Sequence, residues 1–187
     1  MSVLALSAPL AQAAPPSPIG EWTVANGMAR IKIDQCGKNI WGVISWEQNP
    51  GGQDGNNPDP AKRTRPTLGM PILMGMKPAD SDRWEGEVYN AENGKTYDAS
   101  IRLKGPDVLQ IQGCVLGFLC GGEDWTRYKP EPAAAPAPPA PRGAKPQPPA
   151  GIDVCQSVAD ATGIPIETLS PQHARAAPKA KRPPAAH

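Results

Sequence analysis

Histidine is almost absent from this 187-residue sequence, and its absence bears directly on catalysis. Only His173 and His187 are present, and both lie near the C-terminal end. Nucleophilic catalysis of the Ser-His-Asp or Cys-His kind needs a histidine as its base. Residues 15–129, the part of the chain with a globular composition, contain none. We therefore predict that the protein is not an enzyme.

A strong charge of either sign is also missing. The net charge is +1, and residues 15–129 contain 13 Lys and Arg against 14 Asp and Glu. A near-neutral body lacks the basic surface that nucleic-acid binding requires, so no nucleic-acid partner is predicted. After Glu167 four basic residues follow with no acidic one. The C-terminal end could therefore contact an anionic polymer of a cell envelope, but only weakly.

Two further absences argue against a membrane helix and a metal centre. No run of about 18 apolar residues occurs, so no transmembrane segment is predicted. The sequence contains no C-x-x-C, and its histidines are far from its cysteines, whereas a zinc site needs these ligands in a cluster. Neither a metal nor a cofactor is predicted.

Four cysteines are present, and an even number in an exported chain favours disulfides. Cys114 and Cys120 flank the sequence VLGFL, which a hairpin-like turn could close, so this pairing is favoured. Two small buried thiols are the alternative. Cys36 would then either pair with Cys155 or stay free.

The N-terminal segment, residues 1–17, is interpreted as a signal peptide or a flexible end. A short apolar stretch at residues 3–10 precedes the sequence A-Q-A at 11–13, a pattern of small residues that signal peptidase cleaves. The basic start of a signal peptide is missing. The pattern nevertheless favours export, and with it a periplasmic or secreted location.

Apolar and polar residues alternate with a period of two through most of the body. In the sequence ARIKIDQC, for example, Ile31 and Ile33 alternate with Lys32 and Asp34. This alternation is typical of antiparallel strands with one buried and one solvated face. The predicted strands span residues 19–24, 28–36, 40–47, 70–77, 83–89, 96–104, 108–115 and 122–129.

Short turn sequences, such as Asn93-Gly94, separate most of these strands. Eight short antiparallel strands either close into a barrel or fold as a two-sheet sandwich. Consecutive tight hairpins favour the barrel. We predict an all-β, eight-stranded up-and-down barrel over residues 18–129.

A barrel of eight strands is either filled by its own side chains or holds one small ligand. The aromatic and apolar residues on the inward faces could line a pocket for an apolar ligand; a filled core is the alternative. The predicted interior residues are Ile31, Ile33, Ile44, Trp46, Met74, Trp84, Tyr97, Ile101 and Ile111.

The strand pattern ends at residue 129. Residues 130–150 contain nine Pro and seven Ala, which predicts an extended linker without a core. In residues 151–170, Asp153 and Gln156 resemble a capping box, and Gly163 could end a short helix. Residues 171–187 are predicted to be a disordered basic tail.

One connection is long, residues 48–69, and it contains the sequence QDGNNPDPAKRTRPTLG. Its side chains allow three interpretations: turn chemistry, a calcium loop, or the rim of a site. The spacing does not fit an EF-hand loop, whereas Asx side chains and prolines are typical of turns. A long loop in a tight barrel is a common place for function. The predicted rim residues are Asp54, Asn57, Asp59, Arg63 and Arg65, and the two arginines are potential anion contacts.

Two short motifs resemble the signature of lipocalins and other calycins. Gly20 and Trp22 form a G-x-W motif on the first strand, and Trp125 and Arg127 form a W-x-R motif on the last. In that architecture the tryptophan closes one barrel end, and the basic side chain packs over its ring. A guanidinium over an indole face is a favourable cation–π contact.

More closely, the body resembles a family of secreted bacterial proteins known as domain of unknown function 2147. The resemblance covers residues 18–129 and rests on these short sequences: GEW at 20–22, CG at 36–37, W at 46, D-x-x-N-P-D-P at 54–60, R-P at 65–66 with Gly69, W-E-G at 84–86, Y-N-A-E-N-G-K-T-Y at 89–97, G-C at 113–114 and W-x-R at 125–127. It implies a lipocalin-like barrel outside the cytoplasm and no known reaction. Trp41 stands where many relatives have a second cysteine, so Cys36 lacks its usual local partner.

Two functional hypotheses follow. The first is a small-ligand binding protein of the bacterial envelope, with loop 48–69 gating the barrel mouth. The second is a non-catalytic structural or interaction module, in which the Pro-Ala segment acts as a tether for the basic tail.

Overall fold

Eight antiparallel strands pair in chain order and close into a single barrel. The computed structural model describes residues 17–115, 119–130 and 151–169. The strands are β1 Gly20–Thr23, β2 Ala29–Cys36, β3 Asn39–Glu47, β4 Pro71–Pro78, β5 Arg83–Asn90, β6 Lys95–Gly105, β7 Val108–Val115 and β8 Leu119–Arg127. The prediction of an eight-stranded up-and-down barrel is confirmed. Most of the predicted signal segment and Pro-Ala linker, and the whole of the predicted basic tail, lie outside the described residues.

The two ends of the barrel differ in their connections. Because successive strands are antiparallel, the connections after β1, β3, β5 and β7 all lie at one end, which we call the loop end. It includes the long connection 48–70. At the opposite end, which we call the closed end, tight turns join the other strand pairs, and Gly37 uses a positive φ of 65° at the first of them.

Trp22 fills the closed end. Its side chain is fully buried, and its Nε1 donates a hydrogen bond of 2.8 Å to the Pro18 carbonyl. The Arg127 guanidinium lies 4.1 Å from the centroid of the Trp22 ring. It also donates hydrogen bonds to the carbonyls of Ile19, Pro106 and Ser17. This is the arrangement that the G-x-W and W-x-R motifs predict.

Two short helices follow the barrel, where the sequence predicted one. The first, α1, spans Val154–Thr162 and is capped by Asp153 and Gly163; the second, α2, spans Ile166–Leu169. Val154 and Val158 are buried against the outer face of β2 and β3. Neither helix is long and apolar enough to cross a membrane.

Strand β3 is therefore covered on both faces. Ile40 and Ile44 point into the barrel, whereas Trp41 and Val43 pack under the helices. Burial on two faces explains why the sequence IWGVISW reads as a nearly continuous apolar run instead of an alternating one. It also gives Trp41 a role in holding α1.

The favoured disulfide, Cys114–Cys120, is present, and Cys36 pairs with Cys155, one of the two alternatives that the sequence left open. Cys36 is bonded to Cys155, which attaches α1 to β2, and Cys114 is bonded to Cys120 across β7 and β8. The first bond supplies the partner that Cys36 lacks nearby in the sequence. It also corrects the tether hypothesis, because the Pro-Ala segment begins at the barrel and returns to it.

Candidate functional site

The loop-end half of the barrel contains a cavity of about 580 Å³ that is open to solvent. Its volume is within the range of pockets that bind small molecules. The apolar side chains that line it are Val24, Met28, Ile31, Ile44, Ile72, Val88, Ile111, Val115, Leu119 and Trp125. The barrel is thus filled at the closed end and hollow at the loop end.

The cavity exists because small residues occupy inward positions at the loop end. Gly113 on β7 and Gly121 on β8 are directly opposite each other, and both line the cavity together with Ala29. Toward the closed end the inward residues are large, and Leu73, Met76 and other side chains fill the space. Side-chain size along the strands therefore sets where the interior is empty.

The wall of the cavity has a gap beside β8. Strand β1 is only four residues long, so its ladder with β8 contains two residue pairs, Trp22 with Arg127 and Thr23 with Thr126. The remainder of β8 faces solvent along its free edge, and Leu119 is 61% exposed. Two other lining residues, Met28 and Val115, are also exposed. An apolar rim of this kind offers a route into the cavity.

Seven of the nine predicted interior residues point into the barrel. Ile31, Ile44, Tyr97 and Ile111 line the cavity. The other three, which are Ile33, Trp84 and Ile101, are buried in the filled core.

Trp46 was wrongly placed in the interior. One extra residue on β3 shifts the register, so that Ile31 pairs with Ile44 but Arg30 pairs with Trp46. A bulge of this kind reverses the facing of the residues beyond it. Trp46 is 37% exposed on the outer surface, where the Arg30 guanidinium lies 4.5 Å from its ring centroid.

Met74 was also wrongly assigned as a lining residue. It pairs with Glu87, which is exposed on the outer face of β5. The half-buried Met74 side chain packs against both the barrel core and the helix cluster. Its neighbours Leu73 and Met76 occupy the interior instead.

The long loop contains a buried polar network centred on Asp54. Its carboxylate is fully buried and accepts hydrogen bonds from the Tyr89 hydroxyl at 2.6 Å, Asn57 Nδ2 at 2.7 Å and Arg65 Nε at 2.9 Å. Arg65 Nη2 lies 2.8 Å from the same carboxylate. Side chains of the protein engage both oxygens of Asp54. Because Asp54 would have been the main calcium ligand in this loop, this arrangement argues against a calcium site.

The remaining rim residues stabilise the loop itself. The Asp59 carboxylate accepts from Ala61 N and caps a short 3-10 helix at Pro60–Lys62. Arg63 Nε donates to the Asn57 carbonyl at 2.8 Å. The two arginines predicted as anion contacts are thus engaged within the loop, Arg63 with a carbonyl and Arg65 with a carboxylate.

The loop is fixed to the barrel beside the cavity and does not cover it. Asn56 Nδ2 donates to the carbonyls of Ala91 and Glu92 in the β5–β6 turn. In that turn, a Cβ on Gly94 would overlap the backbone oxygen of Asn56, and Gly94 also has a φ of 68°. No described residue of 48–69 lines the cavity. The hypothesis of a gating loop is corrected accordingly: the loop supports the wall.

Tyr89 links the loop to the cavity and was not predicted. It lines the cavity, while its hydroxyl lies in the Asp54 network. Burial, followed by the hydrogen bond to the Asp54 carboxylate, raises the pKa of the Tyr89 phenol above its ordinary value of 10.0. The only hint in the sequence was its position at the start of the Y-N-A-E-N-G-K-T-Y motif.

Comparisons with known proteins agree with this architecture. Residues 20–127 match the family described as "Uncharacterized protein conserved in bacteria (DUF2147)". A search of solved structures finds protein HP1028 from Helicobacter pylori, which its title assigns to the lipocalin family. The two chains are 16% identical with a TM-score of 0.57, over 62% of this chain and 85% of HP1028. At that identity the likeness shows a common fold. The comparison with curated proteins finds no match.

Proposed function

The chain belongs to the DUF2147 family, and from that premise we propose that it binds a small apolar ligand in the barrel cavity. The observation that carries the proposal is the cavity itself, about 580 Å³ in volume and lined mainly by aliphatic side chains. A filled barrel would need no such space. Small inward residues at Gly113 and Gly121 keep it open.

Binding without catalysis fits the chemistry of the lining. Residues 17–129 contain no histidine, and the two charged lining residues, Glu92 and Glu123, are carboxylates. The proposal is therefore a carrier or sensor, in which the ligand leaves unchanged.

We also place the protein outside the reducing cytoplasm. Two disulfides are present, and such bonds persist in oxidising compartments. The A-Q-A sequence at residues 11–13 supports export. Together they favour the periplasm or the extracellular space.

Filling the cavity from one wall tests the proposal. Gly121 lines the cavity, and a Cβ built there has no atom within 4 Å, so Gly121→Phe adds a ring without an initial clash. Gly105→Phe is the matched control, because Gly105 has similar free space and lies outside the lining. The probes are neutral, 1-naphthylmethanol and decan-1-ol, measured by calorimetry.

We expect both probes to bind the wild type and the Gly105→Phe variant with similar affinity. Their affinity for the Gly121→Phe variant should be lower by about tenfold or more. A tenfold loss corresponds to about 1.4 kcal/mol. If the wild type binds neither probe, or if both variants bind like the wild type, the cavity is not the binding site and the proposal fails.

A further inference from the structure

The charged side chains of the cavity lining are all of one sign. Among the described lining residues these are Glu92 and Glu123; no Lys or Arg is among them. The other polar lining residues are amides and phenols, namely Asn26, Asn90, Tyr89 and Tyr97. A ligand that enters this cavity therefore meets aliphatic surface and negative charge.

Glu123 is held in place beside the gap in the wall. It pairs with Ile111 across β7 and β8, and both residues line the cavity. Its Oε1 accepts a hydrogen bond of 2.5 Å from Trp125 Nε1. No described residue donates a hydrogen bond to its Oε2. One carboxylate oxygen is thus positioned by the protein, and the other is left for a donor.

A third carboxylate increases the negative charge near the cavity. Glu47 is directly opposite Ala29, a lining residue, at the loop end of β3. Its Oε2 is buried and has no hydrogen-bond partner among the described residues. Buried carboxylate oxygens normally have a partner, and no described donor offsets the charge of this one.

Two arginines, Arg65 and Arg30, are engaged elsewhere and do not offset this charge. Arg65 is paired with the buried Asp54 carboxylate behind Tyr89. Arg30 is on the outer surface, where its guanidinium stacks on the rings of Trp46 and Tyr128. A ligand carboxylate in the cavity would meet two carboxylates and no lysine or arginine among the described lining residues.

We propose that the ligand class is an apolar amine: an aliphatic or aromatic body in the cavity, with its ammonium group at the Glu123 carboxylate. This inference rests on the proposed function and specifies the chemical class of the ligand. The same charge disfavours fatty acids and other apolar anions. The ammonium supplies donors for Glu123 Oε2, and charge-assisted hydrogen bonds of this kind are stronger than neutral ones.

Three probes with one apolar body and different heads test the inference: 1-naphthylmethylamine, 1-naphthylmethanol and 1-naphthaleneacetate. We expect the amine to bind the wild type about threefold to fivefold more tightly than the alcohol, because an ion pair at a site partly open to solvent contributes at most about 1 kcal/mol. The carboxylate should bind more weakly than the alcohol. The preference for the amine should decrease as salt is raised, because salt screens a charge interaction at an open site.

Glu123→Gln removes the charge and keeps an oxygen that can accept from Trp125 Nε1. It should reduce the preference for the amine to less than about twofold without changing the affinity for the alcohol. Glu87→Gln, on the outer face of β5, is the control and should bind all three probes like the wild type.

The possible outcomes distinguish failure of the amine inference from failure of the proposal that the cavity binds an apolar ligand. If the alcohol binds and the amine shows no advantage, or an advantage that is independent of salt, the amine inference is wrong and apolar binding stands. If no probe binds the wild type, both fail. The salt dependence needs only wild-type protein, so the test holds even where Glu123→Gln does not fold.

Discussion

Replacing Asp54 by asparagine should destabilise the barrel strongly, although the two side chains have almost the same shape. The Asp54 carboxylate is fully buried and engages three donors, on Tyr89, Asn57 and Arg65. Asparagine keeps one acceptor oxygen, and its NH₂ group replaces the other carboxylate oxygen. That NH₂ group would face a protein group that donates a hydrogen bond to Asp54. The substitution also leaves the Arg65 guanidinium without its carboxylate partner.

The magnitude follows from burial. Breaking a fully buried ion pair by removing one partner costs about 3–5 kcal/mol. The Arg65 side chain is 27% exposed and can recover part of its hydration, so we expect the lower end of that range, about 3 kcal/mol. With a urea m-value of about 2 kcal/mol/M, the unfolding midpoint should fall by about 1.5 M.

Urea unfolding followed by tryptophan fluorescence measures this shift. Asp59→Asn is the matched control in the same loop: the Asp59 side chain is 48% exposed, and asparagine can still cap the 3-10 helix. It should change the stability by less than about 0.5 kcal/mol. If Asp54→Asn lowers the midpoint no more than Asp59→Asn does, the buried network does not stabilise the fold and the reasoning is refuted.

Two further predictions concern alkaline pH and the disulfides. Because the pKa of Tyr89 is raised in the folded protein, the folded state holds the phenolic proton more tightly than the unfolded state. The contribution of the Tyr89 phenol to the free energy of unfolding is therefore fully present below pH 10.0, the pKa in the unfolded state. It is lost as the pH rises through the higher pKa of the folded state. Tyr89→Phe should lack this loss in urea titrations at alkaline pH, whereas Tyr97→Phe should keep it. For the disulfides, the Cys36–Cys155 bond spans 119 residues and the Cys114–Cys120 bond spans 6. The chain-entropy relation gives about 5 kcal/mol for the first and about 2 kcal/mol for the second, so the C36S/C155S variant should unfold at lower urea than C114S/C120S; the reverse order would contradict this.

The sequence predicted the barrel because its main determinant is local. Period-two alternation and tight turns define most strands within two residues of their observed ends. Strand β8 differs most at its start, at Leu119 instead of residue 122, because the sequence LCGGED has no apolar alternation. Its inward positions there are Leu119, Gly121 and Glu123, and the glycine is what leaves space in the cavity.

It was harder to predict which side chains point into the barrel, because this depends on strand register, and a single bulge reverses the side to which the following residues point. Nothing in the sequence ISWE marks Ser45 as the site of an irregularity, so Trp46 was assigned to the wrong face. The Asp54–Tyr89 contact was missed for a different reason: the residues are 35 positions apart, and only the fold brings them together. Loop polarity suggested a rim, whereas the tertiary structure buries two of its polar residues, Asp54 and Asn57.

The Cys36–Cys155 bond also changes what the Pro-Ala segment can do. Lys129 follows β8 at the closed end, and Gly151 lies beside Lys32 on β2, so residues 131–150 connect two points of one rigid body. For a flexible connection, doubling the length costs only about 0.6 kcal/mol of closure entropy, so closure sets only a weak limit on the length of this segment. A protease that cleaves within it would produce two fragments that stay together under oxidising conditions. Release of the fragment that contains α1 would then require two events: cleavage of the chain and reduction of the Cys36–Cys155 bond.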